Sequence, residues 1–145
     1  MTYNRFCICV FEEKDNIVRD YVIYYLKGLQ EVANKIVVVV NGEITVESRA
    51  KLQALNVEIF QRENKGFDFG AWKDAIVQIG YDELLKYDEL ILTDTTCYGP
   101  IYSLTDMFEE MSSRYCDFWG ITKHFSSCHK KQIFQRAQAQ RLCNF

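Results

Sequence analysis

Lys35–Val40 reads KIVVVV, five β-branched residues in a row behind one lysine. A strand that is apolar at every position has both faces covered, which is the habit of parallel sheets packed between helices. The run stops at Asn41–Gly42. Upstream, Arg5–Phe11 (RFCICVF) is a second continuous apolar run and reads as another buried strand. Between them, in Ile17–Leu29, Val18, Tyr21, Val22, Tyr25, Leu26 and Leu29 recur at helical spacing. Glu12–Asn16 forms the polar turn before that helix, with Asp15 or Asn16 placed to cap it. Gly28 stands near its C-terminal end, where glycine ends helices.

Downstream the alternation continues. Val46–Leu55 is a weaker helix with apolar points at Val46, Ala50, Leu52 and Leu55, and Val57–Phe60 is a third strand. A further helix follows, with Phe69, Trp72, Ala75, Ile76 and Ile79 as its inward stripe. Glu89–Leu92 is a fourth strand, and Gly99–Pro100 a turn. Ser103–Met111 is a helix opened by a capping-box pair, Ser103 with Asp106. Asp117–Thr122 is a short fifth strand. Strand and helix in alternation predict an α/β fold with three layers, a doubly wound and mostly parallel sheet. Its strands' C-terminal ends then share one edge. Residues 1–125 form this domain. The tail, residues 126–145, is polar and reads as a surface helix or a disordered extension.

One connection is unlike an ordinary turn. Gln61–Lys73, QRENKGFDFGAWK, places Gly66 and Gly70 among charged residues and interleaves Phe67, Phe69 and Trp72. Glycines let a backbone approach a ligand closely, and free amides at a helix N-terminus favour anions such as pyrophosphate. Arg62 and Lys65 add positive charge, and Asn64 and Asp68 add polar groups. Asp68 suits both a ligand contact and an N-cap. Trp72 reads as core and Phe67 as exposed. Asp94, just past the fourth strand between Thr93 and Thr95, reads as a ligand contact able to hold Mg²⁺ or Mn²⁺ with phosphate oxygens; a turn cap is the competing reading.

Composition narrows the classes. The 145 residues carry a net charge of −3 and are 48% hydrophobic, enough for one real core. Nucleic acid is excluded as a partner, since it calls for a basic face. No apolar run approaches the roughly 18–20 residues of a transmembrane segment. The N-terminus turns acidic by Glu12, unlike a secretory signal, so reduced thiols and a cytoplasmic location are expected. Cys7 and Cys9 are therefore read as small buried hydrophobes rather than as a zinc pair. No catalytic triad, Walker loop or GxGxxG is present, and His124 and His129 lie near the tail. The acidic cluster Glu12, Glu13, Asp15 invites a flavodoxin-like or receiver-like reading, but the lysine and phospho-acceptor that would complete it do not follow.

Three strings in order, RENKGFDFGAWK, YDELILTDTTCYGPIYSLTDMFEEM and DFWGITKH, resemble the rhamnan synthesis protein F family of bacterial glycosyltransferases. The resemblance spans about Phe6–His124. It implies a GT-A-like, Rossmann-like nucleotide-sugar-binding domain. It also implies transfer of rhamnose or another sugar from a nucleotide sugar, dTDP-rhamnose or similar. The acceptor would be a growing cell-surface polysaccharide or lipid-linked glycan at the inner face of the membrane. By the same resemblance, Phe11–Glu13 and Asn41–Gly42 stand where the base and ribose are held, with Phe11, Glu13 and Asn41 as the contacts. Arg62, Asn64, Gly66 and Asp68 stand at the donor. Asp94 occupies the place of an Asp-x-Asp metal motif with one aspartate, and Mg²⁺ or Mn²⁺ is the implied cofactor. Asp117 is the candidate general base. The family pattern continues beyond DFWGIT, whereas Gln132–Phe145 resembles no part of it, as in a truncated chain. An incomplete acceptor half is therefore expected, with a non-catalytic glycan- or protein-binding module as the alternative function.

Overall fold

The apolar runs become strands in the expected order. The computed structural model describes residues 3–121. Four parallel strands, β1 (Arg5–Phe11), β2 (Lys35–Asn41), β3 (Glu58–Arg62) and β4 (Glu89–Asp94), lie in the order β3-β2-β1-β4. The chain steps outward from β1 to β3 and then returns past β1 to place β4 on its other side. This reversal is the doubly wound α/β topology. It leaves a switch point between β1 and β4, where open sheets hold ligands at the strands' C-terminal ends.

The central strands are buried because they are covered on both faces. Every residue of β1 is buried, and so is every residue of β2 after Lys35. Phe6, Ile8, Val10, Val37 and Val39 pack on one face against Ala71 and Ala75 of α3 (Phe67–Ile79), with Trp72, Ile76 and Ile79 half-buried around them. The opposite face takes α1 (Asp20–Gln30), whose Tyr25 hydroxyl reaches Thr93 Oγ1. Cys7 and Cys9 are wholly buried in β1, and burial pushes the Cys7 thiol up to about 12. Both pack as small apolar groups.

Several local expectations are corrected. Neither Asp15 nor Asn16 caps α1, which starts at Asp20 behind Arg19; Asp15 instead pairs with Arg19 and accepts from the Ile17 amide at 3.3 Å. Gly28 does not end α1. A side chain there would come within 2.7 Å of the Pro100 ring, so glycine permits a close approach. In α2 (Val46–Gln53) Val46 and Ala50 face solvent; Leu52 and Ser48 are buried, and Thr45 caps the helix by accepting from Ser48 N at 3.2 Å. Phe69 is 80% exposed, because Ala71 and Ala75 set the face of α3 that meets the sheet. The short helix α4 (Tyr81–Leu84) links α3 to β4. Residues 117–121 form no strand, and Thr122 lies outside the described residues. Among the described residues β4 is thus the sheet edge, with Leu90 and Leu92 more than two-fifths exposed.

The chain divides into two compact units, Met1–Thr105 and Asp106–Phe145. The first holds the sheet and helices α1–α4. The boundary falls inside α5 (Leu104–Ser112), where Ser103 Oγ accepts from Thr105 N at 3.2 Å at its start. In the second unit Phe108 and Trp119 meet edge to face at 4.9 Å. The polar tail, 126–145, with His129, and also His124 lie outside the described residues.

Candidate functional site at the C-terminal edge of the sheet

The unusual stretch of sequence is a four-residue turn. Gln61 and Arg62 complete β3, Glu63–Gly66 turn the chain, and Phe67 begins α3. Gly66 precedes the helix with a left-handed backbone, φ 81°, where glycine escapes the Cβ penalty. Asp68 therefore does not cap α3; it lies in the first turn, where a carboxylate suits the helix dipole. Gly70 packs so tightly on the turn that a Cβ would come within 2.2 Å of the Lys65 carbonyl oxygen.

A polar network ties this turn to the ends of β1 and β2. Glu12 accepts from Asn64 Nδ2 at 2.9 Å through Oε1 and from Asn41 Nδ2 at 3.0 Å through Oε2. Asn41 Nδ2 also donates to Asn64 Oδ1 at 2.8 Å. The Arg62 guanidinium is drawn inside. Its Nε donates to Asp74 at 2.8 Å, its Nη2 to the Lys65 carbonyl at 2.7 Å and its Nη1 to Asn41 Oδ1. With only 8% of its side chain exposed, Arg62 acts as a strut that fixes the turn to α3.

On the far side of β1, Trp72 Nε1 donates to the Thr93 carbonyl at 3.1 Å, tying α3 to the end of β4. Asp94 Oδ1 accepts from the Thr96 amide at 2.8 Å and from its hydroxyl. That carboxylate oxygen does cap a turn, while Oδ2 takes no hydrogen bond among the described residues. The Asp68 carboxyl is held above its ordinary value by partial burial, then by the charges of Asp94 and Glu12. Asp68 thus lies within electrostatic reach of both other carboxylates.

Of the residues the sequence singled out, Asn41, Arg62, Asn64, Gly66, Asp68 and Asp94 come together here. Phe11 is buried to 1% exposure, so it contributes position rather than contact. Glu13 turns to α1, accepting from the Tyr21 hydroxyl and pairing with Arg19 at 3.4 Å. The Tyr21 ring in turn lies 4.4 Å from that of Tyr98. Asp117 is exposed in an irregular segment of the second unit. Sequence reading missed Glu12 as the hub and Asp74 as the partner of Arg62. The end of β1 signalled the first; nothing in a helix interior signalled the second.

Among the described residues no group of three or more metal-ligating side chains converges on one point. What fits a divalent cation is narrower: Asp94 has one free carboxylate oxygen, with like-charged Asp68 nearby. Mg²⁺ needs only one or two protein carboxylates when phosphate and water complete its shell. A cleft of about 550 Å³ opens at the other end of the sheet, lined by Asn34, Lys35, Asn56, Glu58 and Tyr87. Its charged groups pair with each other, Lys35 with Glu58 at 2.9 Å, and no unmatched charge marks it as a chemical site.

The fold and this edge define a doubly wound α/β domain with a polar, acidic cluster along the C-terminal edge of its sheet. The chain belongs to the rhamnan synthesis protein F family, whose sequence pattern matches residues 36–140. Membership gives it a role in polysaccharide synthesis. The matched stretch reaches past His124 to residue 140, which corrects the expectation that nothing from Gln132 onward resembles the family. No curated protein and no solved structure matches the chain. Among the described residues no helix is long and apolar enough to cross a membrane.

Proposed function

We propose that this domain binds a nucleotide sugar, dTDP-rhamnose or a close relative, at the C-terminal edge of the sheet. From there the sugar passes to a cell-surface polysaccharide or lipid-linked glycan at the inner face of the membrane. The observation that carries the reading is the fixed network of Glu12, Asn41, Asn64 and Arg62 beside Asp94. It sets two strand ends and a glycine-capped helix around one point. Asn64, exposed and held by buried Asn41, stands where base or ribose would be held, and the first turn of α3 offers backbone amides to the diphosphate.

The charge balance makes the reading specific. Lys65 pairs with Glu63 at 2.6 Å, and Arg62 is engaged by Asp74. A diphosphate brought to Glu12, Asp68 and Asp94 meets only like charge. Mg²⁺ or Mn²⁺ would offset that repulsion: Asp94 would hold the ion, and the ion would supply neutralisation of the diphosphate charge. In the transfer, the acceptor hydroxyl oxygen bonds to the anomeric carbon as the bond to the diphosphate oxygen breaks. The hydroxyl proton leaves to a general base. The transition state is oxocarbenium-like, as in glycoside hydrolysis.

Calorimetric titration with dTDP-rhamnose, with and without Mn²⁺, tests the reading. Heat that appears only with the metal supports it, and absence of binding under both conditions removes it. Asp94→Ala is expected to weaken metal-dependent binding by about tenfold or more; unchanged affinity would reduce Asp94 to its turn-capping role.

The second reading is a module that binds glycan without nucleotide. Phe67, 71% exposed at a strained backbone φ of 51°, favours it. Such a module binds sugar polymer equally well with and without dTDP-rhamnose.

A further inference from the structure

We infer that the Phe69–Trp72 ring pair in α3 is the platform for the sugar ring at the growing end of a rhamnan chain. The inference rests on the glycan-handling reading above and names the acceptor side of the same edge.

A single exposed aromatic residue is ordinary on a protein surface. Phe69 differs because its position is fixed. It is 80% exposed, yet its ring meets Trp72 edge to face, 5.2 Å between centroids at 76°. Trp72 is in turn anchored through Nε1 to the Thr93 carbonyl, one residue before Asp94. A broad apolar surface is thereby held beside a strand-end carboxylate. Rigid aromatic rings give large contact area at low entropic cost, the property used wherever loosely enclosed ligands are recognised.

The chemistry of the occupant follows. A pyranose has a face of C–H groups and a rim of hydroxyls. The face suits a ring such as Phe69, and the rim can donate to Asp68 and Asp94. Rhamnose carries a methyl group where a common hexose carries a hydroxymethyl, which adds apolar contact. Charge selects in the same direction. Glu12, Asp68 and Asp94 repel an anionic polymer but not a neutral one. The openness of Phe69 suits a chain end that extends away into solvent better than an enclosed donor sugar.

The test uses the full chain, a rhamnose oligosaccharide as probe and saturation-transfer NMR with calorimetry. The wild type is expected to bind the oligosaccharide, with transfer to the sugar's methyl group. Phe69→Ala should weaken that affinity about tenfold or more, with an unchanged circular dichroism spectrum and unchanged dTDP-rhamnose binding. Phe69→Tyr should restore it. Equal affinity of wild type and Phe69→Ala, or no oligosaccharide binding by the wild type, overturns the inference. Equal affinity for a mannose oligosaccharide overturns the choice of a 6-deoxy sugar. Loss of donor binding alone, with the Phe69 effect intact, overturns the nucleotide-sugar reading and leaves the platform standing.

Discussion

The two ends of the sheet are built from the same backbone and carry opposite electrostatic designs. At the N-terminal end charges are matched pair by pair: Arg5 with Glu89, and Lys35 with Glu58 at 2.9 Å. The Asp88 carboxylate accepts from the Asn4 amide at 2.7 Å, and Asn34 Oδ1 from the Arg5 amide at 2.8 Å. At the C-terminal end the cations are turned away. Arg62 is drawn to Asp74, Lys65 to Glu63, and Arg19 to Glu13 and Asp15. Glu12, Asp68 and Asp94 have no cationic partner among the described residues. Folding alone would favour the first arrangement at both ends, since like charges repel and matched ones do not. An edge that keeps unmatched carboxylates over an elaborately hydrogen-bonded turn is the candidate site for a ligand.

That contrast can be broken most sharply at Gly70. Replacing it with alanine forces a methyl group into the Lys65 carbonyl at 2.2 Å, so the turn must shift. A loss of about 3 kcal/mol is expected, read by chemical denaturation, together with loss of nucleotide-sugar binding. Next in size is Arg62→Ala. It leaves the Asp74 carboxylate, Asn41 Oδ1 and the Lys65 carbonyl without their donor, and should cost about 2 kcal/mol. If denaturation shows no loss, the strut assignment fails.

Asp68→Asn sharpens the comparison in the opposite direction, because it should stabilise. The native carboxyl binds its proton more tightly than the ordinary value of 3.8 implies, owing to burial and to Asp94 and Glu12. Native stability from this group is therefore fully present below 3.8 and is lost as pH rises through the raised native value. Asparagine removes that loss. Thermal melts should show a small gain in Tm at neutral pH that disappears in acid. A gain that persists in acid would point to some other cause. The smallest effect belongs to the matched end. Lys35→Ala breaks a largely exposed pair with Glu58 and should change stability by less than about 0.5 kcal/mol, with ligand binding untouched. A binding change there would erase the distinction between the two ends.

Much of the fold was legible because its signals are local. KIVVVV and RFCICVF have no exposed face, so both had to be central strands, and the helical spacing of Val22, Tyr25, Leu26 and Leu29 gave α1 its buried side, whereas Val18 is buried ahead of the helix. The glycines, asparagines and charges of the turn after β3 likewise singled out a candidate site, and Asn41, Asn64, Gly66, Asp68 and Asp94 lie along one edge of the sheet. Elsewhere local signals misled. Phe69 has the spacing of a core residue, but Ala71 and Ala75 fix the face of α3 against Phe6, Ile8 and Val37, leaving Phe69 outside. DFWGI has the composition of a strand, yet Trp119 packs on Phe108 and the segment stays irregular.

The sequence by itself determined that this is an alternating, parallel α/β domain with an unusual polar, glycine-bearing turn after the third strand. Hydrophobic periodicity and turn chemistry act within a few residues, so they can be read without coordinates. Only the tertiary structure decided the roles inside the site. Whether Arg62 meets a ligand or braces a turn depends on Asp74, twelve residues on. Whether Glu12 is a surface charge or a hub depends on Asn41 and Asn64, 29 and 52 residues away. Such partners are chosen by which strand ends the sheet order brings side by side, and long-range pairing of this kind leaves no local mark in the chain.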